Sequence, residues 1–370
     1  MKRVLIYGWF GENNVGDELL LKTMLELLSN NSEIEPYVIC SNPMQVKQNH
    51  PVKTASIAIN GSMRKYIKAN IISPFSLIKC LFETEAMIVA GGGAISDWNY
   101  TSTCEMFYLI NWFKKRNKPI YLLGIGAGPI TKEKPGGRFS KILDKANLIT
   151  VRDEFSFKEL RKLDLKNVKL SNDLVTYSSL YDKNSFPANN IKKIGLVVVP
   201  VCMNSEEIFG TLKKELELLI TLLSKEYEVN IIPFQINYDM GFINDLVFDK
   251  TCVNILKPNT LWDTLEFVKQ QDCIVGMRYH SLVLSILMKK YFIPIIYHPK
   301  SAELCKEYGI EDYAVSVGNG ENWIKSNISA IDIRNKIKRL EKDKKFIDHN
   351  LEVLAQKRKC NIEKEIIRNL

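Results

Sequence analysis

Arg278 and His280 stand one residue apart in the run Asp272-Cys-Ile-Val-Gly-Met-Arg-Tyr-His-Ser-Leu-Val-Leu-Ser285. A fixed guanidinium beside an imidazole suits an anionic substrate that must also exchange a proton. The chain has only four histidines, so one in this position is informative. The alternative is that Arg278 pairs with a structural carboxylate and His280 caps a helix. The run predicts a buried strand over 273–275, a turn at Gly276 and a helix over about 281–288. Both side chains would then lie where a strand becomes a helix. That is the C-terminal edge of a parallel sheet, where open α/β sheets bind ligands. Two further cations fall at matching places: Arg152 after the strand 148–151, and Lys300 after the strand 293–298. For Arg152, an ion pair with Asp153 or Glu154 is the competing explanation.

The first half of the chain carries three glycine-rich turns, each after an apolar strand-like run. They are Gly8-Trp-Phe-Gly-Glu-Asn-Asn-Val-Gly-Asp-Glu18, Gly91-Gly-Gly-Ala-Ile-Ser-Asp97 and Gly124-Ile-Gly-Ala-Gly-Pro129. Such turns let a ligand approach the backbone closely. None has the spacing of a dinucleotide fingerprint or a Walker loop. Asn13, Asn14, Asp17 and Glu18 supply polar groups suited to sugar hydroxyls, with Asp17 equally placed to be a helix N-cap; Asp97, after the second turn, is a further candidate on the acceptor side.

Strand and helix patterns alternate in both halves, so the expected fold is α/β. Two Rossmann-like doubly wound domains would face each other across a cleft, with a C-terminal helix packing back. The expected boundaries are 1–180 and 190–330, followed by a basic helical segment over 331–370. The polar stretch 176–192 is the expected linker. At 370 residues two domains are the default. No apolar run approaches the roughly 18 residues that span a bilayer. Eight cysteines are scattered singly, which suggests reduced core residues in a cytosolic protein and no zinc site. The net charge of +9 is concentrated at the end, where positions 334–370 hold twelve Lys or Arg against six Asp or Glu. This leaves an anionic membrane surface open as a partner, against a solvated helix face. No nucleic-acid-binding signature accompanies it.

The motifs, in their order and spacing, resemble the polysaccharide pyruvyl transferase family. They are Gly8-x-x-Gly-x-x-Asn-x-Gly-Asp-Glu18, Gly91-Gly-Gly with Asp97, Gly124-x-Gly-x-Gly-Pro129, Val151-Arg-Asp-x-x-Ser156, Gly276-Met-Arg-x-His280 and Tyr297-x-Pro-Lys300. The resemblance implies a GT-B-like fold. It also implies transfer of the pyruvyl group of phosphoenolpyruvate onto a sugar as a cyclic ketal, with no metal or other cofactor. Arg152, Arg278, His280 and Lys300 are similar to the family's phosphoenolpyruvate-site residues. His298 stands where the family pattern leads one to expect an acidic residue. The 190–330 domain would take phosphoenolpyruvate and the 1–180 domain the acceptor. That acceptor would be a saccharide on an undecaprenyl-pyrophosphate carrier, in capsular or other surface polysaccharide synthesis. The protein would then be cytoplasmic or peripheral at the inner membrane face.

The expected chemistry follows from the donor. Three cations match its carboxylate and phosphate. His280 would protonate the enol methylene, making C2 electrophilic. Asp17 and Asp97 are the candidates for orienting or deprotonating the sugar hydroxyls. One rival is a nucleotide-sugar-dependent GT-B glycosyltransferase. A second is a non-catalytic sugar-binding member of an assembly complex.

Overall fold

The computed structural model describes residues 1–56, 74–96, 100–132, 134–181, 190–201, 203, 205–317, 328–343 and 345–370. Asp97, Cys202 and much of the expected linker, 182–189, lie outside the described residues. The chain divides into two compact units. Unit 1 is Met1–Ser179 with Lys357–Leu370, and unit 2 is Leu180–Gln356.

In unit 1, β1 (Lys2–Tyr7), β2 (Ile34–Cys40), β3 (Lys53–Ser56), β4 (Ala86–Ala90), β5 (Ile120–Ile125), β6 (Leu148–Val151) and β7 (Val168–Leu170) form one sheet. Their order is β3-β2-β1-β4-β5-β6-β7, and each pair is parallel. Val4, Leu5 and Ile6 are fully buried, as are Met87, Ile88 and Val89. This is why β1 and β4 read as unbroken apolar runs: helices cover both faces of the sheet. Those helices are α1 (Val15–Ser29), α2 (Pro43–Asn49), α3 (Pro74–Glu83), α4 (Tyr100–Lys114), α5 (Arg138–Leu143) and α6 (Glu154–Arg161). Helix α2 and strand β3 were not expected. The signal for α2 was present in Asn42-Pro43: Asn42 caps the helix by accepting from Met44 N, and proline suits the first helical position.

Unit 2 repeats the plan. Its strands are β8 (Lys193–Val197), β9 (Glu228–Ile231), β10 (Val253–Ile255), β11 (Cys273–Gly276), β12 (Tyr291–Ile296) and β13 (Val315–Ser316). They run in the order β10-β9-β8-β11-β12-β13. Its helices are α7 (Glu206–Leu223), α8 (Ile236–Asp245), α9 (Leu261–Lys269), α10 (Tyr279–Leu287), α11 (Pro299–Glu307), α12 (Ala330–Leu340) and α13 (Phe346–Lys357, ending at the boundary). Both strand orders are doubly wound. The order reverses between β1 and β4 in unit 1, and between β8 and β11 in unit 2. Ligands bind at such reversals, outside the carboxyl ends of the strands.

The C-terminal segment serves both units. Helix α12 buries Ile333, Ile337 and Leu340. Its cations Arg334 and Lys338 pair with Glu226. The last helix, α14 (Ile362–Arg368), packs on unit 1 through a buried polar network. There Tyr177 Oη donates to Glu363 Oε2 (3.1 Å), and Asn172 Nδ2 donates to Tyr177 Oη (3.1 Å) and to the Lys357 carbonyl (2.8 Å). Among the described residues, no helix is long and apolar enough to cross a membrane.

Candidate functional site

Unit 2 gathers its chemistry after β9, β11 and β12. Helix α10 starts at Tyr279, two residues before the expected start, so His280 lies in its first turn. Arg278 takes the N-cap position, and its side chain makes no capping bond. Ser281 Oγ turns back to donate to the Arg278 carbonyl (2.6 Å). Gly276 is needed for this turn, because a Cβ there would lie 2.3 Å from Ser281 Oγ.

Arg278 is held by residues that the sequence did not single out. Its Nη2 donates to Asp239 Oδ1 (2.5 Å) and Gln235 Oε1 (3.2 Å). Asp239 is fully buried, and its Oδ2 accepts from Phe234 N (3.0 Å) and Gln235 N (2.9 Å). Tyr238 places its ring 5.8 Å from the Arg278 guanidinium carbon. Burial pushes the Asp239 carboxyl up, and the facing guanidinium pulls it down, with a net rise. For Arg278, burial disfavours the charge while Asp239 restores it, again with a net rise. The hydrogen bonds decide for the ionised pair, because three N–H donors converge on Asp239 and only a carboxylate accepts from all of them. Burial also raises the Tyr297 phenol, with Arg278 opposing and Asp239 reinforcing the rise, which places Tyr297 in the same cluster.

One donor is left over. Arg278 Nε is buried and makes no hydrogen bond among the described residues. An unsatisfied buried donor on a charged group costs on the order of 1–3 kcal/mol or more, which an anionic ligand would recover. Lys300 follows β12, the strand beside β11, in the first turn of α11. His298, the position of the expected acid, is that helix's N-cap: its Nδ1 accepts from Lys300 N (3.3 Å). Arg278, His280 and Lys300 therefore share one sheet edge in unit 2.

Unit 1 places Asn13, Asn14 and Asp17 together on the β1–α1 connection. Asn14, and not Asp17, is the N-cap: its Oδ1 accepts from Gly16 N (3.0 Å). Asn13 has φ of 55°, and Gln45 fastens the loop there: its oxygen accepts from Asn13 N (2.7 Å) and its NH2 donates to the Gly11 carbonyl (2.7 Å). Asp17 lies in the first turn and faces the second glycine turn, where a Cβ on Gly92 would stand 3.8 Å from its Oδ1. Gly91 has φ of +61°, and a Cβ there would lie 2.4 Å from Leu20 Cδ2. This close approach is what the glycine run provides. Glu18 is buried and ties down the loop, accepting from Gly11 N (2.9 Å) and pairing with His50 Nε2 (3.1 Å).

Arg152 belongs to unit 1, two strands away from β4, the strand nearest the reversal on its side. Its side chain is 3 % exposed, with Nε on Asp153 Oδ2 (3.3 Å) and Nη1 on Asp173 Oδ2 (3.1 Å). Both carboxylates also act as helix N-caps. The guanidinium lies against Gly126, where a Cβ would be 2.7 Å from Nη2. Arg152 thus braces the third glycine turn.

The two sheets and their orders define a pair of Rossmann-like units of the GT-B class. Solved structures agree. The S. aureus MnaA–UDP co-structure is 11% identical over 95% of this chain and 91% of its own, with a TM-score of 0.60. UDP-GlcNAc 2-epimerase from Neisseria meningitidis bound to UDP-GlcNAc is 15% identical over 95% and 94%, with a TM-score of 0.58. Spinosyn rhamnosyltransferase SpnG is 10% identical over the full length of both chains, with a TM-score of 0.57. At these identities the likeness is one of fold. A search of curated proteins finds no match. The family follows from a different comparison. The polysaccharide pyruvyl transferase profile matches residues 14–299, from the cap of α1 to the start of α11, and the chain belongs to that family.

Proposed function

We propose that the chain transfers the pyruvyl group of phosphoenolpyruvate onto a saccharide as a cyclic ketal. Family membership supports a transferase of this kind. The observation that carries the choice of donor is the Arg278 cluster: a guanidinium clamped by Asp239, with Nε turned to no acceptor, beside His280 at the reversal of unit 2. A compact, multiply charged anion answers that arrangement. Arg278 and Lys300 bind its carboxylate and phosphate. His280, protonated beside the anion, gives a proton to the methylene carbon. One hydroxyl oxygen bonds to C2. The proton of that hydroxyl is given up and His280 regains one in its place; a second hydroxyl then displaces phosphate, which leaves with that hydroxyl's proton, so atoms and charge balance. Arg152, with its guanidinium already shared between two carboxylates, acts as a positioning residue for the third glycine turn.

Unit 1, with Asn13, Asn14 and Asp17, receives the acceptor. We assign that acceptor to a saccharide on an undecaprenyl-pyrophosphate carrier, presented at the inner membrane face to a peripheral enzyme. The reaction calls for no metal or other cofactor. The competing reading is nucleotide-sugar transfer, since two of the fold neighbours hold UDP or UDP-GlcNAc. Thermal shift separates the two. Phosphoenolpyruvate should raise the melting temperature and UDP should not, and Arg278→Ala should abolish the rise. A shift with UDP alone would transfer the assignment to the nucleotide-sugar enzymes.

A further inference from the structure

The ketal reaction needs a group to take the proton of an attacking hydroxyl, and unit 1 holds a carboxyl that no motif marks. Glu105 sits on α4, the helix that follows the glycine run 91–93. Thr103 Oγ1 donates to the Ala94 carbonyl (3.0 Å), stitching this part of α4 to that turn. Glu105 lies beside Tyr7, the last residue of β1, whose phenol is pushed up by burial and then by the charge of Glu105. Leu5 and Tyr7 point to the sheet face buried by Met106, Phe107 and Ile110 of α4. Helix α1, which follows β1 before the reversal, covers the other face. Asp17 at the start of α1 and Glu105 on α4 therefore flank the β1/β4 reversal from opposite faces.

The surroundings of Glu105 are those of a working carboxyl. Its Oε2 is buried and makes no hydrogen bond among the described residues. Burial alone pushes the carboxyl up to about 7. The buried acids of unit 1 each accept from at least one donor: Glu18 from Gly11 N and His50, Asp153 and Asp173 from Arg152, Glu159 from Ile130 N and Lys162, and Glu363, through Oε2 only, from Tyr177. A structural carboxylate needs donors. One left without them at a ligand-binding edge is poised to exchange a proton.

We infer that Glu105 is the base that takes the proton from an acceptor hydroxyl at the β1/β4 reversal, with Asp17 orienting the sugar from the opposite face. The assignment rests on the pyruvyl-transfer reading above. In the step, the hydroxyl proton moves to a Glu105 oxygen as the hydroxyl oxygen bonds to C2. The enol electron pair takes the proton that His280 gives at the methylene carbon. Glu105 then releases its proton to solvent, and no oxidant or reductant is involved.

The test compares wild type with Glu105→Gln and Glu105→Asp. Carboxyl titration by difference infrared spectroscopy, without substrates, should show one group titrating near neutral pH in wild type and absent from Glu105→Gln. Ketal formation should show an acidic limb in kcat that is lost in Glu105→Gln, with kcat lower by about 10²-fold and the KM for phosphoenolpyruvate within about twofold. Glu105→Asp should recover part of kcat. A merely structural role would instead lower the melting temperature of Glu105→Gln and leave the pH profile unmoved. Product from wild type with unchanged kcat in Glu105→Gln, or a Glu105 carboxyl that titrates in the ordinary range, overturns the assignment alone. No ketal from wild type overturns the pyruvyl-transfer reading, and this assignment with it.

Discussion

Replacing Asp239 by asparagine tests the Arg278 clamp, and its size can be worked from the contacts. Asp239 is fully buried and accepts from Arg278 Nη2, Phe234 N and Gln235 N. Asparagine keeps the shape but offers one acceptor oxygen. Its NH2 must then face either the two backbone N–H groups or the guanidinium, donor against donor. Removing one partner of a buried ion pair costs about 3–5 kcal/mol. Arg278 retains 17 % exposure, so water relieves part of that cost, and about 3 kcal/mol is expected. For a domain of this size, each kcal/mol moves the melting temperature by roughly 2–4 °C, giving a drop of about 6–12 °C. The freed guanidinium also loses its orientation, so phosphoenolpyruvate should bind at least about tenfold more weakly, or about 1.4 kcal/mol. Differential scanning calorimetry and isothermal titration calorimetry read the two effects. A melting temperature within about 2 °C of wild type, with unchanged affinity, would refute the view that Asp239 holds Arg278 for an anion.

Three further outcomes follow from the same geometry. His280→Ala should lower kcat for ketal formation by about 10²-fold or more and leave the protein folded; near-normal turnover removes His280 as the acid. Gly91→Ala should destabilise unit 1 by about 2–4 kcal/mol in chemical denaturation, combining the left-handed backbone cost with overpacking against Leu20. Glu105 makes stability depend on pH with a definite sign. Its folded value is raised from 4.5 to about 7, so its contribution is complete below about pH 4.5 and is lost as pH rises through about 7. Glu105→Gln should therefore melt with wild type near pH 4.5 and above it at pH 8, and equal melting temperatures at both pH values would contradict the burial of a carboxyl there.

What could be read from the residues alone depended on how local the cause was. The core strands were legible because β1, β4 and β11 are buried on both faces and so run apolar without interruption. The glycine turns were legible because the glycines themselves mark them, although only Gly276 answers a nearby residue, Ser281; the partner of Gly91 is Leu20, on the distant helix α1. Whether Asp17 caps α1 stayed open in the residues because Asn and Asp both cap well; the backbone places the cap at Asn14. Asp239 stayed hidden for a different reason. It lies 39 residues from Arg278, and the two meet because β9 and β11, the strands they follow, both flank β8 in the sheet. Gln235 and Tyr238 shared its fate, at the start of α8. Glu105 belongs to no motif, and nothing in the spacing of α4 marks its Oε2 as buried. Arg152 was visible as a cation at a strand end, but its second partner, Asp173, comes from beyond the next strand.

The most direct measurement supplies purified protein with phosphoenolpyruvate and a panel of lipid-linked and aryl saccharides, and follows phosphate release together with product mass. The account predicts stoichiometric phosphate and a mass gain of one ketal-linked pyruvate on at least one acceptor, both lost in His280→Ala and Arg278→Ala. Saccharide left unmodified across the panel, with no binding of phosphoenolpyruvate, would contradict it.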